Sequence, residues 1–372
     1  MDKIDLLLEQ INFPIFYLKV VLSLVSSFLI TWYSIPTIIK ISRRKNLMDE
    51  PGQRSSHERK IPNLGGVAMF FAISVCASIF AYQLFDLYKF LFASLVILLY
   101  VGVMDDIVVM RAYKKLLAQL IVSTLLVVGS DVRIRNLFGV FGVYELNYFL
   151  SVIFSIITFI ILVNAYNLID GIDGLAGFYG VICFALFGVS YYRLGEYNYP
   201  LVILSTSIIG AVVGFLYYNL SEKSKKIFMG DTGSMLLGFL LTFTAICFMD
   251  IFIVKKEQGA IFYHLNSAPV IAVAVMILPI IDTLNVIIIR LAEKRSPFDA
   301  DKNHIHHKLL KLGLTHKRAT FYILIYYLFI ILISYSLRHL DVNLLLVIIL
   351  VLGFIGAYLP DYFLKRKIKI KY

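Results

Sequence analysis

Eleven apolar stretches of roughly membrane-spanning length dominate this sequence: 14–36, 65–85, 89–104, 116–130, 148–167, 174–192, 199–219, 234–253, 268–289, 319–337 and 342–359. The apolar core of a bilayer is about 30 Å thick, and a helix crosses it with about 20 apolar residues. Inside that layer every backbone N–H and C=O must be satisfied by the protein itself, so only helices and closed barrels span it. Continuous apolar runs, rather than the two-residue alternation of barrel strands, select helices. These stretches account for a 372-residue chain that is 60% hydrophobic and 16% charged, with a mean hydropathy of +0.83, without any soluble domain. The expected fold is an all-α polytopic integral membrane protein of about 11 transmembrane helices, forming one membrane-embedded domain over residues 1–372.

Sidedness follows from Lys and Arg, which collect in cytoplasmic loops. With the N-terminus outside, 26 of the 35 basic residues fall on the opposite side. The expectation is therefore an external N-terminus, a cytoplasmic C-terminus and five cytoplasmic loops near 37–64, 105–115, 168–174, 220–233 and 290–318. External connections such as 131–147 read as plain connectors. Cys76, Cys183 and Cys247 all lie in apolar runs and make neither a disulfide framework nor a zinc cluster. The acidic start MDKIDLLLEQ argues against a cleaved signal peptide. The basic tail KRKIKIKY suits anionic lipid headgroups better than nucleic acid.

The cytoplasmic loops also hold the unusual polar clusters. The first contains Arg54 and His57, then Pro62 and the pair Gly65–Gly66 at a helix start. Glycines there let backbone N–H groups approach an anion, although a basic scaffold loop is an equal reading. Next come Asp105–Asp106, two adjacent carboxylates that repel unless a cation or proton offsets them. A helix cap needs only one of them. Lys115 follows at the next helix start, placed to hold a phosphate oxygen or to snorkel.

In NAYNLIDGIDGLAG, residues Asn164, Asn167, Asp170 and Asp173 recur every third position, near one helical face. Two amides and two carboxylates ending an apolar helix are costly unless they meet a polar cavity or ligand. Such hard oxygen donors suit Mg²⁺, or Mn²⁺. Asp231, in GDTGS, is either a helix N-cap or a further metal ligand. The fifth loop carries His304, His306 and His307, whose spacing fits no ordinary zinc motif; a role against a sugar or a pyrophosphate is the better reading. Asp282 is an intramembrane carboxylate of open role. His264, His316 and His339 stand isolated in the sequence.

In order along the chain, RSSHERKIPNLGG, the Asp105–Asp106 pair with Lys115, NAYNLIDGIDGLAG, GDTGS and SPFDADKNHIHH resemble the polyprenyl-phosphate N-acetylhexosamine-1-phosphate transferase family, from about Asp49 to Gly313. HIHH favours its WecA/TagO-type branch over MraY. The resemblance implies an eleven-helix, N-out fold in a bacterial cytoplasmic membrane, with the active site facing the cytoplasm. It implies transfer of a sugar 1-phosphate, best guessed as N-acetylglucosamine 1-phosphate, from a UDP-sugar to undecaprenyl phosphate, with UMP released. UDP-MurNAc-pentapeptide or a modified UDP-amino sugar is the alternative donor. By similarity Asp231 and Asn167 hold Mg²⁺; Asp105, Asp106 and Lys115 are catalytic; Asn164, Asp170 and Asp173 face the nucleotide. Arg54, His57, His304, His306 and His307 then face the sugar or pyrophosphate. Membrane lipids are expected partners, and a homodimer is left open.

A secondary transporter is the rival from another class. It would bury its ionisable groups at mid-membrane on broken helices within inverted repeats, whereas here they gather at helix ends and no repeat is visible.

Overall fold

The computed structural model describes residues 15–48, 60–108, 110–221, 223–257, 265–296 and 303–369. In chain order the helices are α1 (Ile15–Arg44), α2 (Gly65–Phe80), the short α3 (Gln83–Leu87), α4 (Leu91–Val108), α5 (Ala112–Thr124), α6 (Tyr148–Ile169), α7 (Leu175–Arg193), α8 (Tyr199–Asn219), α9 (Gly230–Glu257), α10 (Ala268–Val275), α11 (Ile277–Ala292), the short α12 (Ile305–Lys311), α13 (His316–Ser336) and α14 (Val342–Lys369). Each of the eleven apolar stretches is helical over most of its described residues. Among the described residues nine helices are long and apolar enough to cross a membrane, α10 and α11 make a tenth as a pair bent by 74°, and α2 is shorter. The protein is an all-α polytopic membrane protein.

Two details depart from the sequence reading. The connection 131–147 is not plain: it folds into an antiparallel hairpin, β1 (Asn136–Val140) and β2 (Val143–Glu145), turning through Phe141 and Gly142 at positive φ. Asp105 and Asp106 belong to the last turn of α4 rather than to a loop, because the helix continues past its apolar run until Val108.

Lipid and protein interior are equally apolar, so close packing of small residues, not hydrophobicity, decides which helix face turns inward. On α1 the buried residues are Ser23, Ser27, Thr31, Ile35, Ile39 and Ser42, while Leu29 and Tyr33 face out. That small-residue stripe packs on α8. The helix α9 is the most enclosed, surrounded by α2, α4, α6, α7 and α10. At the α10–α11 break, the carbonyl of Val275 accepts the Tyr179 hydroxyl at 2.6 Å, so the bend leaves no orphan acceptor there.

The start of α9 is squeezed between two backbones. A Cβ on Gly66 of α2 would lie 2.8 Å from the carbonyl carbon of Thr232, and one on Gly102 of α4 would lie 2.5 Å from the Thr232 Cα. Backbone cannot yield as a flexible side chain does, and overpacking costs about 1–3 kcal/mol. Gly102→Val is expected to lower the thermal unfolding midpoint of the detergent-solubilised protein; an unchanged midpoint would show that α4 can move away from α9 at little cost.

Candidate active site

The helix ends that carry the polar motifs meet at one end of the bundle. The segment before α2 pairs with the segment before α9: Phe228 N–H donates to Pro62 O, Gly65 N–H to Phe228 O and Gly66 N–H to Met229 O, at 2.8, 3.0 and 2.9 Å. The Gly65–Gly66 amides are therefore taken by carbonyls and not by an anion, and these glycines serve close packing. Arg54 and His57 lie outside the described residues.

The adjacent aspartates of α4 divide their work. Asp106 accepts from Asp231 N–H at 2.8 Å, from Thr232 N–H at 3.1 Å and from the Thr232 hydroxyl at 2.6 Å. It thus caps α9 from a different helix, supplying the carboxylate that a helix N-terminus favours. Asn63 donates to the Asp106 carbonyl at 3.1 Å and ties the first loop to the same point. Asp105 turns the other way. Its Oδ1 accepts from Met110 N–H at 2.6 Å and its Oδ2 lies 2.7 Å from Lys115 Nζ.

With its amide covered by Asp106, Asp231 keeps its own side chain for the site. Its Oδ2 is 2.7 Å from the same Lys115 Nζ, and its Oδ1 accepts from Asn167 Nδ2. Asn167 also donates to Ser234 Oγ at 2.7 Å. Asp105, Lys115, Asn167 and Asp231, from four helices, form one cluster. Asp170 stands close by: burial first, then the negative charges of Asp231, Asp106 and Asp173, push its pKa well above the usual carboxylate range. Among the described residues, the single ammonium group of Lys115 serves the two carboxylates of Asp105 and Asp231. An excess of hard anionic oxygens is the environment in which a small divalent cation is stable. Among the described residues no three His, Cys, Asp or Glu converge into a complete cage. Mg²⁺ does not require one, since it is commonly held by one or two carboxylates, water and substrate phosphates. Asp231 and Asp105 with the Asn167 amide fit that pattern.

Other residues of the third loop go elsewhere. Asn164 is locked to Gln119 of α5, donating to Oε1 at 2.7 Å and accepting from Nε2 at 3.2 Å. Asp173 pairs with Lys226 at 2.5 Å and with His316 Nδ1 at 3.2 Å. Burial works to raise its pKa, but the hydrogen bonds of His316 and Lys226 and the Lys226 charge outweigh it and hold the carboxyl below its usual range. His316 is thus not isolated: at the start of α13 it closes the fifth loop onto the third. Sequence spacing missed it, as it missed Asn63, Gln119, Lys226 and Thr232, because each acts across a tertiary contact.

The histidines ride on α12 and the residue before it. His304 and His306 stack at 5.7 Å between ring centres, and His307 lies 4.3 Å from His306. The His306 ring lies against the backbone of Gly171, where any Cβ would strike it. The cluster therefore abuts the loop that carries Asp170. Burial pushes the His306 pKa down to about 3, so this ring is uncharged at neutral pH. Asp282 contacts His304 and not the carboxylate cluster.

With that geometry in view, the relatives are informative. A glycosyl transferase family 4 profile matches residues 87–249. The undecaprenyl-phosphate α-N-acetylglucosaminyl 1-phosphate transferase of Haemophilus influenzae is 32% identical over 305 residues, covering 80% of this chain and 81% of its own. The chain belongs to glycosyl transferase family 4. The decaprenyl-phosphate N-acetylglucosaminephosphotransferase of Mycolicibacterium smegmatis is 30% identical, with 83% of this chain and 79% of that protein aligned. The Escherichia coli K12 undecaprenyl-phosphate α-N-acetylglucosaminyl 1-phosphate transferase is 28% identical over 311 residues, 81% of this chain and 79% of its own. The matched family 4 segment runs from the end of α3 through most of α9 and so contains the whole Asp105–Lys115–Asn167–Asp231 cluster.

Losing a good helix cap costs about 0.5–2 kcal/mol. Asp106→Ala is expected to lower stability by about that amount and to reduce turnover by releasing Asp231, while Asp106→Asn keeps part of both. Equal unfolding midpoints for wild type and Asp106→Ala would refute the capping role.

Proposed function

We propose that this chain transfers N-acetylglucosamine 1-phosphate from a UDP-sugar to a polyprenyl phosphate, releasing UMP and leaving a lipid-linked sugar pyrophosphate. The observation that carries the reading is the convergence of Asp105, Asp231 and Asn167 around Lys115, in a chain whose full-length relatives are named for this transfer. We further propose the N-out topology of the basic-residue count, with the cluster on the cytoplasmic side of a bacterial membrane. There a soluble nucleotide donor and a lipid acceptor can meet.

The reacting groups are both anions, so their approach is opposed until positive charge screens it. Asp231 and Asp105, with Asn167, are the residues that would hold Mg²⁺, which when bound neutralises charge on the pyrophosphate and polarises it for displacement. Lys115 spends two of three N–H donors on the two carboxylates, leaving one for a phosphate oxygen. Asp106 fixes the place of Asp231. No strong general base is required, because a phosphate monoester with a second pKa near about 6 is already ionised at neutral pH. The attacking oxygen needs orientation and charge screening rather than deprotonation.

Purified protein in lipid nanodiscs, given undecaprenyl phosphate, Mg²⁺ and a panel of UDP-sugars, is expected to release UMP fastest with UDP-N-acetylglucosamine. EDTA should abolish the reaction and Mg²⁺ or Mn²⁺ restore it. No UMP from any donor would overturn the reading; a preference for UDP-MurNAc-pentapeptide would replace the donor. Asp231→Asn should cost about 10²–10³-fold in kcat, the scale of losing one electrostatic stabiliser. Asp105→Asn should also lower kcat, yet leave the shape of the pH–rate profile intact. Loss of the acidic limb in that variant would make Asp105 a proton acceptor instead.

A further inference from the structure

Asp282 contributes nothing to the carboxylate cluster, yet it is 1% exposed and both its oxygens are used. It sits on α11 just beyond the bend. Its Oδ1 accepts the N–H of Ile305 at 2.8 Å, and its Oδ2 lies 2.8 Å from Nδ1 of His304. A carboxylate can only accept, so the proton in the second contact belongs to His304 Nδ1. In neutral imidazole that leaves Nε2 as the acceptor nitrogen. At the other end of α12, Lys308 is buried and donates to Asp361 of α14 at 2.5 Å. The histidine helix is thus clamped by α11 at one end and α14 at the other. A phosphate oxygen at neutral pH has no hydrogen to offer an acceptor nitrogen; a sugar hydroxyl or acetamido N–H does.

We propose that Asp282 is a positioning residue that holds His304 with its proton on Nδ1, so that Nε2 accepts a hydrogen bond from an O–H or N–H group of the donor's amino sugar. The inference rests on the donor reading above and deepens it. It decides between the two roles that the sequence leaves open for the histidines, sugar and pyrophosphate. The His306 ring, held uncharged by burial, brings no positive charge to the pyrophosphate.

The test is Asp282→Asn in the full chain in nanodiscs. The Asn Oδ1 can still accept from Ile305, but its Nδ2 donates to His304 Nδ1 and forces the proton to Nε2. The expected result is a fall of about 10–100-fold in kcat/KM for UDP-N-acetylglucosamine, the scale known for losing a residue that orients a metal-binding histidine. KM for the polyprenyl phosphate and the unfolding midpoint should stay near wild type. A purely structural role would instead lower the midpoint and affect both substrates alike. His304→Gln should show a similar loss, and Asp282→Asn should add little in that background, since the two act as a unit. Histidine ¹⁵N NMR should give the Nδ1–H form for His304 in the wild type. Unchanged donor kinetics, multiplying losses in the double variant, or an Nε2–H ring in the wild type would each overturn the proposal. The NMR arm decides even if Asp282→Asn does not fold. A wild type inactive on every UDP-sugar would strike the functional reading, whereas an active wild type with a silent Asp282→Asn would strike only this one.

Discussion

The carboxylate of Asp106 capping the first turn of α9 is the contact on which the rest of the site depends. A helix N-terminus exposes backbone N–H groups with no partner in their own helix, and α9 begins where the bundle is most tightly packed. Serving that end from α4 fixes two helices against each other and frees Asp231 from satisfying its own helix. Gly66 and Gly102 let the surrounding backbones close in at the same level. Packing and charge placement are therefore one problem here: the close approach sets the distance at which Lys115 reaches both Asp105 and Asp231.

That arrangement separates two kinds of recognition. The deep cluster is rich in negative oxygen and suits a divalent cation and the phosphates it would bring. The histidine helix, whose His306 ring is uncharged, is placed beside the cluster through Gly171 and the Asp173–His316–Lys226 contacts. On the proposed reading, charge handling and sugar reading are carried by different loops, held together by the His306 contact on Gly171 and the pairing of Asp173 with Lys226 and His316.

The fold class was legible because a bilayer permits so few solutions: a run of about 20 apolar residues has essentially one conformation there. The polar clusters were legible for the converse reason, since carboxylates and amides at apolar helix ends demand partners. Which partner each one finds was not legible. Asp105 and Asp106 are neighbours in sequence with opposite destinations, and helical geometry sends adjacent side chains about 100° apart. Asn164 matches the spacing of its loop yet is paired with Gln119. The hairpin in 131–147 was hidden because it forms between short segments with no apolar alternation, and its turn uses Phe141 at positive φ.

The clamp of Lys308 by Asp361 bears on how such a protein comes into being. Chains are made and inserted from the N-terminus, and the cation cluster can form once α9 is in place. The histidine helix acquires its second anchor only when α14 has entered the bilayer and carried Asp361 to the correct side. Asp361 follows Asp231 by 130 residues, so the second anchor of the histidine helix is synthesised well after the carboxylate cluster.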